Sequence, residues 1–204
     1  IAGSVFFLMN RGGGDVGAVQ EVSETITVEG AALDSFDSAT MTPANDPARG
    51  ATAPTISGQD FQGNDASLPV SGESTIMAFM AHWCPHCQAE FPVMVDELLH
   101  GEALPDGVNL AIVPTATSPN SPNYPPSNWL LGGDRPWTGA ILADTADGQA
   151  AAAYGLSSYP FFVVVGADGQ VLARTSGQLG REQLRTLVDV AAGAAEPSDV
   201  EPGE

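Results

Sequence analysis

The stretch from Thr75 to Leu99 restricts this chain most. Thr75-Ile-Met-Ala-Phe-Met-Ala81 is a continuous, mostly apolar run and reads as a buried central strand. It ends at His82-Trp83-Cys84-Pro85-His86-Cys87, which holds the only two cysteines of the sequence. Beyond it, Phe91, Met94, Val95, Leu98 and Leu99 recur at i, i+3, i+4, i+7 and i+8, one face of a helix. The cysteines therefore stand where a buried strand turns into a helix.

That position has chemical consequences. A cysteine at a helix N-terminus faces unpaired backbone N–H groups and the positive end of the helix dipole, and both favour thiolate. Thiolate is the nucleophile of disulfide exchange. Cys84 falls at the first turn, and Cys87 falls three residues on, on the same face. The spacing lets Cys84 attack a partner and Cys87 resolve the mixed disulfide. His86 can add positive charge or a hydrogen-bond donor near a Cys84 thiolate, which makes the disulfide a stronger oxidant. Pro85 suits the first turn, where its missing N–H costs nothing.

Three other readings compete. A disulfide clip closing so short a loop removes little unfolded-state entropy and is a poor staple. A metal site could draw on Cys84, Cys87, His82 and His86, but zinc usually takes four converging ligands, and only His100 remains elsewhere. An unreactive reduced pair sits badly with an even cysteine count in an exported chain.

The rest of the chain supplies a frame. Thr25 to Gly30 alternates like a short strand, and residues 34–54, rich in Ser, Asp, Ala and Pro, predict a loop that wraps a domain. Ala53 to Ile56 is extended, Asn109 to Pro114 is a second buried strand, and 115–139 is a long loop with one helical turn near Trp129. Ile141 to Asp144 predicts a short strand, and Gln149 to Tyr154 a helix stopped by Gly155. Phe161 to Val165 is a third apolar strand, joined by a turn at 167–170 to a returning strand, Val171 to Arg174. Arg181 to Ala192 is an amphipathic helix. This order predicts an α/β fold, one mixed sheet with helices on both faces.

Charge narrows the partners. The net charge is -19, with six arginines and no lysine. Such a surface repels phosphate backbones, so no nucleic-acid partner is expected. Residues 1–9 are apolar but too short to span a bilayer. They are expected to be the outer end of a signal peptide or membrane anchor, with a Gly-rich tether behind them.

The segment Phe79-Met-Ala-His-Trp-Cys-Pro-His-Cys-Gln-Ala-Glu90-Phe-Pro92 resembles the active site of the thioredoxin superfamily. It is most similar to the TlpA/ResA-like group of extracytoplasmic thiol-disulfide oxidoreductases. Trp83 matches the family's Trp before the first cysteine, and Glu90 and Pro92 match the Glu-x-Pro after the pair. Gly155-Leu-Ser-Ser-Tyr-Pro160-Phe161 matches the segment before the third core strand. The resemblance covers roughly residues 50–193 and implies a thioredoxin-like fold: a central mixed β-sheet flanked by helices, with a TlpA/ResA-type strand-helix insertion at 141–154. The divisions that follow are 1–24, an anchor or signal remnant and linker; 25–52, an N-terminal extension with a short strand; 53–193, the thioredoxin-like domain; and 194–204, a disordered acidic tail.

The resemblance also implies roles. Cys84 attacks, Cys87 resolves, Pro160 is cis, and Tyr159 offers its backbone to an extended substrate. Glu90 is either a proton carrier for Cys87 or a solvated helix residue. Trp83 is a packing lid over the pair, and His82 a surface residue. Trp129 and Trp137 belong to a loop that either lines a substrate groove or covers the surface. Thioredoxin and DsbA-type proteins carry a buried carboxylate six residues before the first cysteine, where this chain has Ala78. The dipeptide Pro85-His86 is that of DsbA-type oxidases. The expected function is thiol-disulfide exchange with exported cysteine-containing proteins, as an oxidase reoxidised by a membrane redox partner. A disulfide reductase of the cytochrome c maturation type is the alternative, and a non-catalytic metal- or substrate-holding module the third. No cofactor and no metal are expected. The chain is expected to be a monomer, in a bacterial extracytoplasmic setting, membrane-anchored or secreted.

Overall fold

The computed structural model describes residues 19–201 and residue 203. The expected anchor at 1–9 and most of the tether lie outside them. Eight strands and four α-helices follow in order: β1 (Thr27–Glu29), β2 (Thr55–Gln59), β3 (Asp65–Leu68), β4 (Ser74–Met80), α1 (Pro85–Met94), β5 (Val108–Pro114), α2 (Pro126–Leu131), β6 (Ala140–Ile141), α3 (Gln149–Ala153), β7 (Phe161–Val165), β8 (Val171–Ser176) and α4 (Arg181–Ala191). The main sheet has the order β6-β5-β4-β7-β8. β4 pairs parallel with β5 and antiparallel with β7, so the sheet is mixed.

β4 is buried along its whole length because it is covered on both faces. Its side chains alternate between two cores. Ile76, Ala78 and Met80 pack with Phe91, Met94, Leu184 and Leu187, the α1 and α4 side. Met77 and Phe79 pack with Ile56, Leu68, Ala150 and Tyr154, the side of α3 and the small sheet. The period of two that separates them is that of any strand.

The small sheet, β1-β2-β3, is antiparallel and covers that second face. β3 was not anticipated. Asp65-Ala-Ser-Leu buries only Leu68 fully, so it carries little apolar signal. Its hairpin turn is closed by the Asp60 carboxylate, which accepts from the amides of Gln62 and Asn64 at 2.8 and 2.9 Å. The strand expected at 141–144 is short: β6 ends at Ile141, and Ala143 bridges instead to Gln59 of β2.

Two segments bear on the surroundings of the site. Pro92 lies inside α1 and has no N–H to give back to Gln88. Downstream the helix widens into a π-helical turn, Val95–Leu99, in which the His100 amide donates to the Val95 carbonyl at 3.1 Å. The tail after α4, expected to be disordered, instead forms a 3₁₀ turn at Pro197–Asp199 and seats Val200 in the α4-side core, 3% exposed. Val200, with the buried Pro197 and the half-buried Ala195, anchors it.

The loop at 34–54 does wrap the domain. Its anchor is Arg174 of β8, with no exposed surface. Arg174 donates from Nε and Nη2 to both carboxylate oxygens of Asp46 at 2.7 Å. Nη1 donates to the carbonyls of Asp34 and Tyr154 at 2.8 and 2.9 Å, and the guanidinium lies 5.5 Å from the Phe36 ring centre. Gly155 ends α3 with φ of 71°, and a Cβ there would strike the Asp34 carbonyl. The close approach of this strap therefore requires glycine.

Candidate active site

Cys84 is the N-cap of α1, with extended φ and ψ of -75° and 123°. Its carbonyl accepts from the Gln88 amide at 3.0 Å, and its own amide donates to the Ala81 carbonyl at 3.0 Å. Pro85 fills the first helical position. The Cys84 Sγ lies 3.9 Å from the Tyr159 carbonyl oxygen, a long S–H···O contact that faces the sulfur with the Tyr159–Pro160 segment. That peptide bond is cis, as expected.

Both cysteines are free thiols. They differ in access. Cys84 keeps 7% of its surface, and Cys87 keeps none. Burial pushes the Cys87 thiol far above its usual range, with the neighbouring Cys84 adding to the shift and the Ala81 backbone opposing it. The pair thus combines an accessible sulfur at a helix terminus with a sealed one a turn inside.

Glu90 is the third member of this face, three residues beyond Cys87. It is not a solvated helix residue. It has no exposed surface, and neither carboxylate oxygen has a hydrogen-bond partner among the described residues. Burial raises its carboxyl from the ordinary 4.5 to about 8, with the nearby Leu179 backbone, outside hydrogen-bonding geometry, opposing the shift. Glu90 is therefore a neutral acid at pH 7, set beside the thiol that is hardest to ionise.

Trp83 is half-buried. Its indole N–H donates to the Ala116 carbonyl at 2.8 Å, and its ring meets Tyr159 edge-on with centroids 5.8 Å apart. His86 is exposed and lines a hollow shared with Tyr159. The structure thus gathers Trp83, Cys84, His86, Tyr159 and Pro160 on one face, with Cys87 and Glu90 directly beneath.

Two expectations are corrected. His82 is not a surface residue; it is 1% exposed. The Ser118 amide donates to Nε2 at 3.1 Å, so Nε2 is the unprotonated acceptor and Nδ1 carries the hydrogen given to the Pro122 carbonyl at 2.7 Å. Both ring nitrogens are committed, which removes His82 as a metal ligand. Of the loop tryptophans, Trp137 is a core residue with its N–H on the Ala140 carbonyl at 3.0 Å, and Trp129 is half-buried, its ring tilted against Phe91 with centroids 5.1 Å apart. Among the described residues no three His, Cys, Asp or Glu side chains converge as metal ligands.

Asp144 escaped the sequence reading. Its buried carboxylate accepts from the Thr115 hydroxyl at 2.7 Å and from the amides of Thr145, Ala150 and Ala151 at 2.8, 2.7 and 3.1 Å. It ties the end of β5 to the start of α3, beside Tyr159. Capping rules point to the residue just before a helix, which is Gly148 here, and Asp144 reaches the first-turn amides from four residues further back.

No protein-family model matches the sequence, and no curated protein matches it either. Solved structures do. A Chlorobium tepidum protein assigned as the thiol:disulfide interchange protein DsbE superposes with a TM-score of 0.58 at 22% identity, over 70% of this chain and 96% of its own. The fold is thioredoxin-like. StoA of Bacillus subtilis superposes with a TM-score of 0.52 at 24% identity, over 69% of this chain and 98% of its own. A thiol:disulfide interchange protein from Bacteroides sp. gives 0.53 at 19% identity, over 74% and 95%. No helix among the described residues is long and apolar enough to cross a membrane.

Proposed function

We propose that this chain is a protein thiol-disulfide oxidoreductase acting on exported cysteine-containing proteins, and that it works as an oxidase. The observation that carries the reading is the unequal pair: Cys84 capping α1 opposite the Tyr159 carbonyl, and Cys87 sealed one turn inside. In the oxidising direction a substrate thiolate attacks Cys84 Sγ. The Cys84–Cys87 bond breaks, and the electron pair leaves on Cys87, which takes up a proton. A second substrate thiolate then attacks the substrate's own sulfur in the mixed disulfide, and the pair leaves on Cys84. The substrate loses two electrons, which the Cys84–Cys87 pair gains, and two thiol protons, of which one is taken up at Cys87 and the other goes to solvent while Cys84 leaves as thiolate. A membrane redox partner, quinone-linked, returns the pair to the disulfide.

Glu90 is the proton carrier for Cys87 in this scheme. Its carboxyl is protonated at neutral pH and one turn from that sulfur, so it can supply the proton a buried thiolate cannot wait for from solvent. The dipeptide Pro85-His86, which resembles that of DsbA-type oxidases, supports the oxidising direction. One observation favours the reverse direction, a reductase: the connector from 115 to 154 holds only the short helices α2 and α3, with no inserted helical domain of the DsbA kind.

The mechanism is tested by replacing the resolving thiol. Cys87→Ser should accumulate disulfide-linked adducts through Cys84 when expressed with exported proteins, and Cys84→Ser should accumulate none. Equal adduct levels in the two variants would sink the assignment of roles.

A further inference from the structure

Two hollows open on either side of Tyr159. One, of about 260 Å³, has the strap residues Phe36 and Met41 on one wall and His86, Ser158 and Ser176 on the other. The second, of about 270 Å³, lies between Ala116 and the start of α3, with Asp147, Gly148 and Ala152 in its lining. Each is smaller than the roughly 300–1,000 Å³ of drug-sized ligand sites. Each has room for one side chain and its adjoining peptide units. They meet at Tyr159, whose carbonyl faces the Cys84 sulfur at 3.9 Å. A chain that crosses Tyr159 in extended form brings its own sulfur to Cys84 and sends a flanking side chain into each hollow.

The hollows differ in charge. Among the described residues the strap-side lining holds no carboxylate and no arginine, with His86 as its one basic side chain, on a chain whose net charge is -19. Its apolar surface comes from Phe36 and Met41. The Met41 sulfur accepts from the Asp37 amide at 3.3 Å, and the strap is pinned by the Asp46–Arg174 pair, so this wall is fixed rather than loose. The other hollow carries the Asp147 carboxyl, held below its usual range by hydrogen bonds from Thr145 and Gln149.

We propose that the two hollows form one substrate track, which takes an extended cysteine-bearing segment with a neutral apolar neighbour against Met41 and a basic neighbour against Asp147. The proposal rests on the exchange reading above and names the substrate class for it. The strap thereby becomes a specificity element, and the expected groove residues shift from the loop tryptophans to Met41 and Asp147.

The test uses dithiol peptides that flank one cysteine with leucine and lysine, in both orders, and matched peptides with glutamate in place of lysine. Dithiothreitol, which has no flanking groups, is the reference. At low salt the better lysine peptide should be oxidised about fivefold faster in kcat/KM than its glutamate partner. Asp147→Asn, or about 0.5 M salt, should erase that preference. Met41→Ala should lower the ratio of peptide to dithiothreitol turnover about tenfold for the leucine peptides. Asp147 lies on an exposed turn, so its variant stays readable even if Met41→Ala loosens the strap. Peptides oxidised at equal rates, or an unchanged ratio in Met41→Ala, would overturn the track. A pair that does not exchange with dithiothreitol at all would instead overturn the exchange reading, and the track with it.

Discussion

A carboxyl group with neither solvent nor a hydrogen-bond partner is costly to ionise, and Glu90 is in that state. Its carboxyl titrates at about 8 in the folded chain against 4.5 ordinarily. Between those values the unfolded chain has lost the proton and the folded chain keeps it. Raising the pH through this window therefore destabilises the fold, by up to ~1.4 kcal/mol per pH unit from this group. Glu90→Gln should abolish that slope and, above pH 8, be more stable than the wild type. Urea denaturation at pH 5, 7 and 9 reads it directly, and an unchanged slope would mean Glu90 is ionised in the fold. Glu90→Gln should also slow exchange if the carboxyl moves the Cys87 proton. At this scale the sequence was uneven. Cys84 and Cys87 announced themselves by spacing, and Tyr159-Pro160 came with the family resemblance. His82 did not, because Ser118 and Pro122, which occupy its ring nitrogens, come 36 and 40 residues later. Nothing local to His82 records them.

Elements whose signal is their own periodicity were legible. β4, β5 and β7 are apolar runs because both sheet faces are covered, and α4 shows its buried face at Leu184, Leu187, Val188 and Ala191. β3 and the seated tail were not, since each is held by one or two apolar residues meeting a surface built elsewhere. The strap is the extreme case. Its composition reads as loop, and its order comes from Arg174, which the sequence offers only as the end of a strand. Removing one partner of a buried ion pair leaves the other uncompensated, at about 3–5 kcal/mol. Asp46→Ala should cost that much in denaturant unfolding and should raise proteolytic cleavage within residues 31–54. A loss under about 1 kcal/mol would mean that water reaches the guanidinium.

The whole molecule is acidic, with a net charge of -19. Each arginine among the described residues meets a carboxylate: Arg49 with Glu196, Arg135 with Asp96, Arg174 with Asp46, and Arg181 and Arg185 with Glu97. The positive charge is thus spent within the fold, and the surface field is negative. That field favours partners with basic or neutral segments around their cysteines. Direction of electron flow belongs to this scale too, because it depends on how the helix terminus, His86 and the buried Cys87 together weight thiolate against disulfide. The most direct test of the oxidase reading is the reduction potential of the Cys84–Cys87 pair, equilibrated in glutathione buffers at neutral pH. The account predicts a value near about -120 mV, that of a strong oxidant. A value near or below about -270 mV, that of a thioredoxin, would contradict it and make the chain a reductase.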